Sequence, residues 1–422
     1  MKTHLSQRLE SLDVLRGFDL LMLVGLESVM HHLSSAVNTP SFHSFMWGFT
    51  HVDWEGFSSW DLVMPLFMVM SGITIPFALS RYKNSSDKAL VYRRILKRVV
   101  LLWIFGMMCQ GNLLALDPNR IYLYANTLQS IAMGYLISSL LYLHTRIRTQ
   151  IIIAVLLLLG YWGAMEFITI QGYGGGNYTP DGNLAEWIDR EVLGRFRDGA
   201  SIVNGEVSFP QWYRYTWILS SLNFGVTVLT GTFAGYILKN KEQAPKQKLI
   251  WLIAIGVAMV AIGWIWGIWH PVIKKIWTSS MVLVSSGYCF LLMALFYYII
   301  DYKGWRKHCD WLKVYGMNSI VAYMLTMCVG FSCIGRSLFH GLEQYIGAYY
   351  PVLIALSNSA IVYFILWCMY KKKIFLKVKK QRRMCFIHIL LYFLFLHWSV
   401  SQSSHKEVIE FLYGRNQATF IW

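Results

Sequence analysis

The chain has 422 residues, 56% of them hydrophobic and only 14% charged, and its 38 Lys and Arg outnumber 22 Asp and Glu to give a formal net charge of +16. Soluble globular proteins carry about 25% charged residues, so the composition excludes a disordered chain and argues against a soluble enzyme. A basic excess also suits a nucleic-acid surface, but here Lys and Arg fall in short bursts between apolar runs, as charge that orients membrane helices does, and no nucleic-acid partner is expected.

Crossing a bilayer takes about 20 apolar residues. In chain order such runs occur at 12–33, 61–81, 95–115, 122–143, 150–168, 216–238, 249–268, 277–300, 314–334 and 350–370, with a weaker one at 384–400. They predict an all-α, polytopic membrane protein with 10 to 11 transmembrane helices. Met1 to Glu10 is polar and the first apolar run has spanning length, so no cleavable signal is expected. With the N-terminus cytoplasmic, the loops on that side collect Lys83, Lys88, Arg93, Arg94, Lys97 and Arg98, then Arg146 and Arg148, then Lys239 to Lys248, Lys303 to Lys313 and Lys371 to Lys373. The opposite loops hold few basic residues, and the longest, 169–215, offsets its arginines with acids; the positive-inside rule therefore sets the N-terminus in the cytoplasm.

Residues 1–378 read as a single integral-membrane domain without internal repeats. The extension 379–422 opens on Lys379 to Arg383, continues with apolar Met384 to Trp398 and ends in small polar residues. That grammar fits an eleventh helix or an accidental extension. The seven cysteines have no metal-ligand spacing, and neither a metal nor a disulfide framework is expected.

Ionisable groups inside spanning helices are costly and mark function by default. The first run carries Asp13, Arg16, Asp19, Glu27, His31 and His32. On a straight α-helix Asp13, Arg16, Glu27 and His31 share one face, with Arg16 and Glu27 about 16 Å apart along the axis, a stripe suited to a water-filled cavity. Asp13 and Arg16 equally suit an i,i+3 anchor at the cytoplasmic end; Glu27 lies too deep for that. His51-Val52-Asp53-Trp54-Glu55-Gly56 then stands in an outer loop ahead of Trp60-Asp61-Leu62. His51 is the side chain best suited to take and return a proton near neutrality, although a lone loop histidine is more often inert. Asp61 serves as a catalytic carboxylate or as a helix cap. Further on, Lys274 and Lys275 precede Ile276-Trp277-Thr278-Ser279-Ser280. Cations at a helix N-terminus oppose its dipole and suit an anion. Asn318 opens the ninth run as cap or ligand, and Gln129 and Asn223 are single amides that either glue helices or bind a ligand.

Taken in order, Ser11-Leu12-Asp13-Val14-Leu15-Arg16-Gly17, His51 to Gly56 with Asp61 to Phe67, Leu128-Gln129, Trp187-Ile188-Asp189-Arg190, Ile276-Trp277-Thr278-Ser279, Tyr315-Gly316-Met317-Asn318-Ser319 and Tyr370 to Phe375 resemble the heparan-alpha-glucosaminide N-acetyltransferase family and its bacterial relatives over residues 11 to 378. The resemblance implies transfer of acetyl from cytoplasmic acetyl-CoA to the amine of a glucosamine-type sugar or glycosaminoglycan fragment across the bilayer, and a homodimer. It puts the family's active histidine, in a His-x-x-Trp-x-Gly motif, on His51, as general base or acetyl carrier. With the residue chemistry it suggests Glu27 and Asp61 as further catalytic groups. Arg16, Lys275, Ser279 and Asn318 are then expected toward acetyl-CoA, and Asp53, Trp54 and Trp277 toward the sugar. A cytoplasmic (inner) membrane is the expected location.

The chain departs from the animal enzymes in three places. Glu27 replaces Asn, Ser130 replaces the Arg after Leu-Gln, and Arg214-Tyr215-Thr216-Trp217 replaces Asp-Pro-Glu-Gly. A membrane O-acyltransferase of a surface glycan and a sugar or anion transporter are the rival readings. The histidine motif argues against the first and the lack of repeats against the second.

Overall fold

A computed structural model describes residues 9–37, 39–85, 87–209 and 215–375; the eleventh apolar run and the extension from 379 lie outside the described residues, as does Arg214. Helix α1 (Glu10–Leu20) passes through a π-helical turn at Leu21–Leu26 into α2 (Glu27–Ala36). A π turn rotates every later residue away from the straight-helix register, so the single polar face predicted for this segment is broken. Asp13 and Arg16 pair at 3.5 Å and His31 is exposed.

After the short α3 (Pro40–Met46), a 3-10 turn at Trp60–Leu62 leads into α4 (Val63–Lys83). Helix α5 (Ala89–Cys109) ends before the predicted boundary, where Asn112 takes a left-handed φ of 53°. Helix α6 (Thr127–His144) begins later than predicted because a reciprocal cap defines its start. The Asn126 side chain accepts from Leu128 N at 2.8 Å, and Gln129 Oε1 accepts from Ala125 N at 2.8 Å. Gln129 is thereby helix glue.

Beyond α7 (Ile147–Phe167) the predicted outer loop is structured. It holds the hairpin β1–β2 (Thr169–Ile170 with Tyr173–Gly174), α8 (Leu184–Leu193) and the hairpin β3–β4 (Ser201–Val203 with Glu206–Ser208). Then follow α9 (Ser220–Lys239), α10 (Pro245–Trp266), α11 (Ser279–Phe296), α12 (Asp310–Met317) and α13 (Ser319–Met324). The last two meet at Asn318 in a bent pair, 65° apart. The described chain closes with α14 (Ser332–Phe339), α15 (Glu343–Ile346) and α16 (Tyr350–Lys371).

The protein is thus mainly helical. Among the described residues, six helical stretches are long and apolar enough to cross a membrane, or seven if the bent pair counts as one span. The other predicted runs are also helical but more polar: α1–α2 carries several acids, α5 holds Arg93, Arg94, Lys97 and Arg98, and α6 holds Gln129, Ser138 and Ser139.

Helix α4 lies at the centre, packed on α9, α6, α11 and α1. Its approach to α9 is close: a Cβ on Gly72 would stand 1.9 Å from Val228 O, and one on Gly231 2.0 Å from Val69 O. Small residues let membrane helices pack backbone to backbone. Helices α4 and α9 are buried over most of their length, whereas α7 and α10 expose most of theirs. The stretch Trp60–Lys83 puts Asp61 and Lys83 at opposite ends, roughly 33 Å apart at 1.5 Å per residue. At the Lys83 end, Lys83 and Gln150 both reach Tyr236, Lys88 reaches Leu143 O and Lys248 reaches Leu238 O. The His51 loop, the outer segment and the turn between α10 and α11 cover the other end.

Candidate active site

The turn at 267–278 sets the site. Thr278 Oγ1 donates to Pro271 O and accepts from Ile273 N, Thr278 N closes back on Ile273 O, and Trp277 N bonds Lys274 O. Closing so tightly forces Trp277 to a φ of 50°, uncommon for a bulky residue. The surroundings hold it there. Asn223 Nδ2 donates to Trp277 O at 2.7 Å, the indole N–H donates to Thr227 at 3.0 Å, and Tyr161 and Ser220 hydroxyls both donate to Ile276 O. Asn223 is therefore also glue, and the turn presents Lys274 inward, its side chain 10% exposed.

The His51 loop is pinned to this turn. Gly56 N donates to Val272 O at 2.8 Å and Glu55 forms a β-bridge with Ile273. Gly56 has a φ of 121°, which favours glycine. Asp61 then folds the loop about itself. Its Oδ2 accepts from Ser58 N and Ser58 Oγ, both at 3.1 Å, and its Oδ1 lies 2.8 Å from His51 Nδ1 and 3.2 Å from Lys274 Nζ. Lys274 Nζ is also 3.1 Å from His51 Nδ1.

Two donors, one imidazole N–H and one ammonium, thus converge on one buried carboxylate oxygen. We assign the Nδ1 proton to the shorter contact, with Asp61, which leaves Nε2 as the basic nitrogen. Burial lowers the His51 pKa below its usual 6.5, and the Lys274 ammonium lowers it further, against the opposing hydrogen bond and charge of Asp61. The ring is held neutral, yet the side chain remains 36% exposed and open to a reactant.

A cavity of about 110 Å³ lies beside it, with Glu27, His51, Gln110, Thr127 and Lys274 on its polar side and Trp60, Trp217 and Tyr323 among its walls. It has room for a few waters or a small reacting group, not for a nucleotide. Glu27 stands in it under the charge of Lys274, and its buried Oε2 has no hydrogen-bond partner among the described residues. The site therefore pairs a neutral, oriented imidazole with the carboxyl group of Glu27 on the lining of one small cavity.

The family described as "Domain of unknown function (DUF5009)" matches residues 8–181, which take in His51 and Asp61. The chain is also similar to heparan-alpha-glucosaminide N-acetyltransferase of Homo sapiens, 26% identical over 376 residues, covering 76% of this chain and 53% of the relative. The protein of the same name from Mus musculus is 23% identical over 375 residues with the same shares. Over most of its length the chain is thus similar to proteins named heparan-alpha-glucosaminide N-acetyltransferase. It spans about half the length of the curated relatives it matches.

Of the residues singled out from the family's motifs, the structure brings His51, Asp61 and Glu27 to one place. The carboxylate on the imidazole is Asp61, ten residues on. Lys274 reaches the pair; the adjacent Lys275 is absent from the cavity lining and contributes its backbone carbonyl to Thr216 N. Arg16 lies on Asp13, outside the cavity lining. Ser279 Oγ donates to Leu158 O, and Asn318 Nδ2 donates to Ile374 O at the bend. Trp277 is buried in the turn, Asp53 is exposed, and the Trp54 indole donates to Tyr178 O at 2.9 Å.

Sequence reasoning assigned no part to Asp189, although it stands in the Trp-Ile-Asp-Arg match. Its carboxylate accepts from Trp217 N at 2.7 Å and Ile218 N at 2.9 Å. It thereby fixes the approach to α9 and the cavity wall at Trp217. Nothing in the spacing linked it to a segment 28 residues away.

Proposed function

We propose that the chain is a transmembrane N-acetyltransferase that moves acetyl from cytoplasmic acetyl-CoA to the amine of a glucosamine-type sugar, with His51 as general base. The observation that carries the reading is the Asp61–His51–Lys274 arrangement opening on a cavity that also holds Glu27. A sugar amine is a cation near neutrality and must lose a proton before it attacks. Glu27 receives the ammonium, and His51 Nε2 takes its proton. The amine nitrogen then bonds to the thioester carbonyl carbon, the C–S bond breaks as the tetrahedral intermediate collapses, the imidazolium gives its proton to the departing thiolate, and the amide nitrogen loses its second proton to the freed imidazole and on to water, so that one proton is released overall. Lys274 keeps the resting imidazole neutral, and Asp61 fixes which nitrogen is free. Trp217 and Tyr215 supply flat faces suited to a sugar ring.

A carboxylate in the cavity favours an amine acceptor over a hydroxyl acceptor and over an anion to be transported. CoA is a polyanion that does not cross a bilayer, so its nucleotide stays on the basic, Lys83 side while the acetyl end reaches the cavity. With this reading go 10 to 11 spanning helices in one domain, an N-terminus in the cytoplasm and a place in the cytoplasmic membrane, as the apolar runs and the basic loops suggest. Homodimerisation is carried over from the family resemblance.

The purified protein in detergent, given acetyl-CoA and glucosamine, is expected to yield N-acetylglucosamine detectable by mass, and His51→Ala to yield none. Product formation by His51→Ala at the wild-type rate would overturn the assignment.

A further inference from the structure

His270 precedes Lys274 by four residues in the α10–α11 turn and is fully buried. Its Nε2 accepts from the backbone N–H of Ser279 at 3.0 Å, and its Nδ1 lies 2.9 Å from Tyr178 Oη. A backbone N–H only donates, so Nε2 carries the lone pair and Nδ1 the proton. Tyr178 Oη accepts that proton's bond and donates its own to Glu166 Oε2 at 2.9 Å. The direction of the chain is therefore set from α11 to α7. The same Tyr178 holds Trp54, whose indole N–H donates to its backbone carbonyl.

His270 is not among the residues lining the cavity, and the proposed transfer does not use it. We propose that His270 is a positioning residue: it joins the first turn of α11 to the outer segment at Tyr178 and thereby holds Trp54 and the His51 loop over the cavity. This rests on the reading of His51 as the reactive base. Three independent ties support it. Gly56 N bonds Val272 O, Glu55 pairs with Ile273, and Lys274 donates to Asp61, so the residues directly after His270 hold the loop. Burial lowers His270 to about 3, in keeping with a ring that serves in its neutral form. Losing it unties Tyr178, and with it the carbonyl that holds Trp54, from the first turn of α11.

The test follows carbethoxylation of His51 by diethyl pyrocarbonate in the full chain, mapped by peptide mass. His270→Gln keeps one acceptor and one donor, and His51 reactivity is expected within about twofold of wild type. His270→Phe keeps the bulk but neither hydrogen bond, and loosening of the loop is expected to raise His51 reactivity at least about threefold. Wild-type reactivity in a folded His270→Phe protein overturns the proposal. Should that variant fail to fold, Trp54→Phe, which lacks the indole donor, is expected to show the same rise, and its absence there overturns the proposal equally. The chemical readout does not require acetyl transfer, so loss of the proposed function and loss of this inference give different results.

Discussion

Asp61→Asn perturbs the site at its centre. The carboxylate is 1% exposed and accepts from His51, Lys274 and Ser58. The amide keeps its shape, but the Lys274 side chain, 10% exposed, then faces no anion. Removing one partner of a buried pair costs about 3–5 kcal/mol because the other charge stays desolvated. The single amide oxygen can accept from Ser58 N or from His51 but not from both, and with the amide N–H turned on His51 the opposite tautomer is held, a change expected to lower kcat about 10²- to 10⁴-fold. Adding Lys274→Met removes the stranded charge. Replacing a whole buried pair is neutral or stabilising by about 1–4 kcal/mol, so the double variant should recover most of the lost stability and none of the lost rate. Thermal unfolding in one detergent, followed by tryptophan fluorescence, reads the first quantity, and steady-state transfer reads the second. A double variant less stable than Asp61→Asn alone would show that the two charges are not coupled, and full activity in Asp61→Asn would refute the orienting role.

The acid limb of kcat/KM should lie below the ordinary histidine range, because burial and Lys274 disfavour the protonated His51. The base form is then complete at neutral pH and is lost only as pH falls through the lowered value; Lys274→Met removes one lowering cause, so its limb should move to higher pH, and an unmoved limb would contradict the role given to Lys274. Glu27→Gln should raise KM for the amine roughly ten- to hundredfold, the loss of a charged hydrogen bond of about 1.5–3 kcal/mol, with steady-state kinetics as the check. Gly72→Ala puts a Cβ 1.9 Å from Val228 O and should cost about 1–3 kcal/mol by overpacking the α4–α9 contact, seen as a lower unfolding midpoint.

The helices were legible because apolar runs of spanning length leave few alternatives. Their interruptions were not. The π turn at Leu21–Leu26, the left-handed Asn112 and the bend at Asn318 depend on neighbours that one chain segment does not reveal. The short hairpins and α8 of the outer segment carry too few residues for a periodic signal. In the site, His51 and Asp61 stood out as polar residues at the mouth of a spanning run, and Glu27 as an acid too deep to be an anchor. Choosing between Lys274 and Lys275 was beyond sequence, since adjacent residues share composition and spacing. The left-handed Trp277 and the hydrogen bonds to Thr278 turn Lys274 inward. Gln129 and Asn223, equally glue or ligand on sequence, resolve as glue because their amides bond backbone carbonyls at 2.7 Å.

The claim that this cavity hands an acetyl group across a membrane is tested most directly in sealed vesicles of known protein orientation. Acetyl-CoA labelled in its acetyl group is supplied on the Lys83 side and glucosamine on the His51 side. The account predicts labelled N-acetylglucosamine on the His51 side with the wild-type protein and none with His51→Ala. Equal product from both proteins, or unmodified glucosamine crossing the membrane, would contradict it.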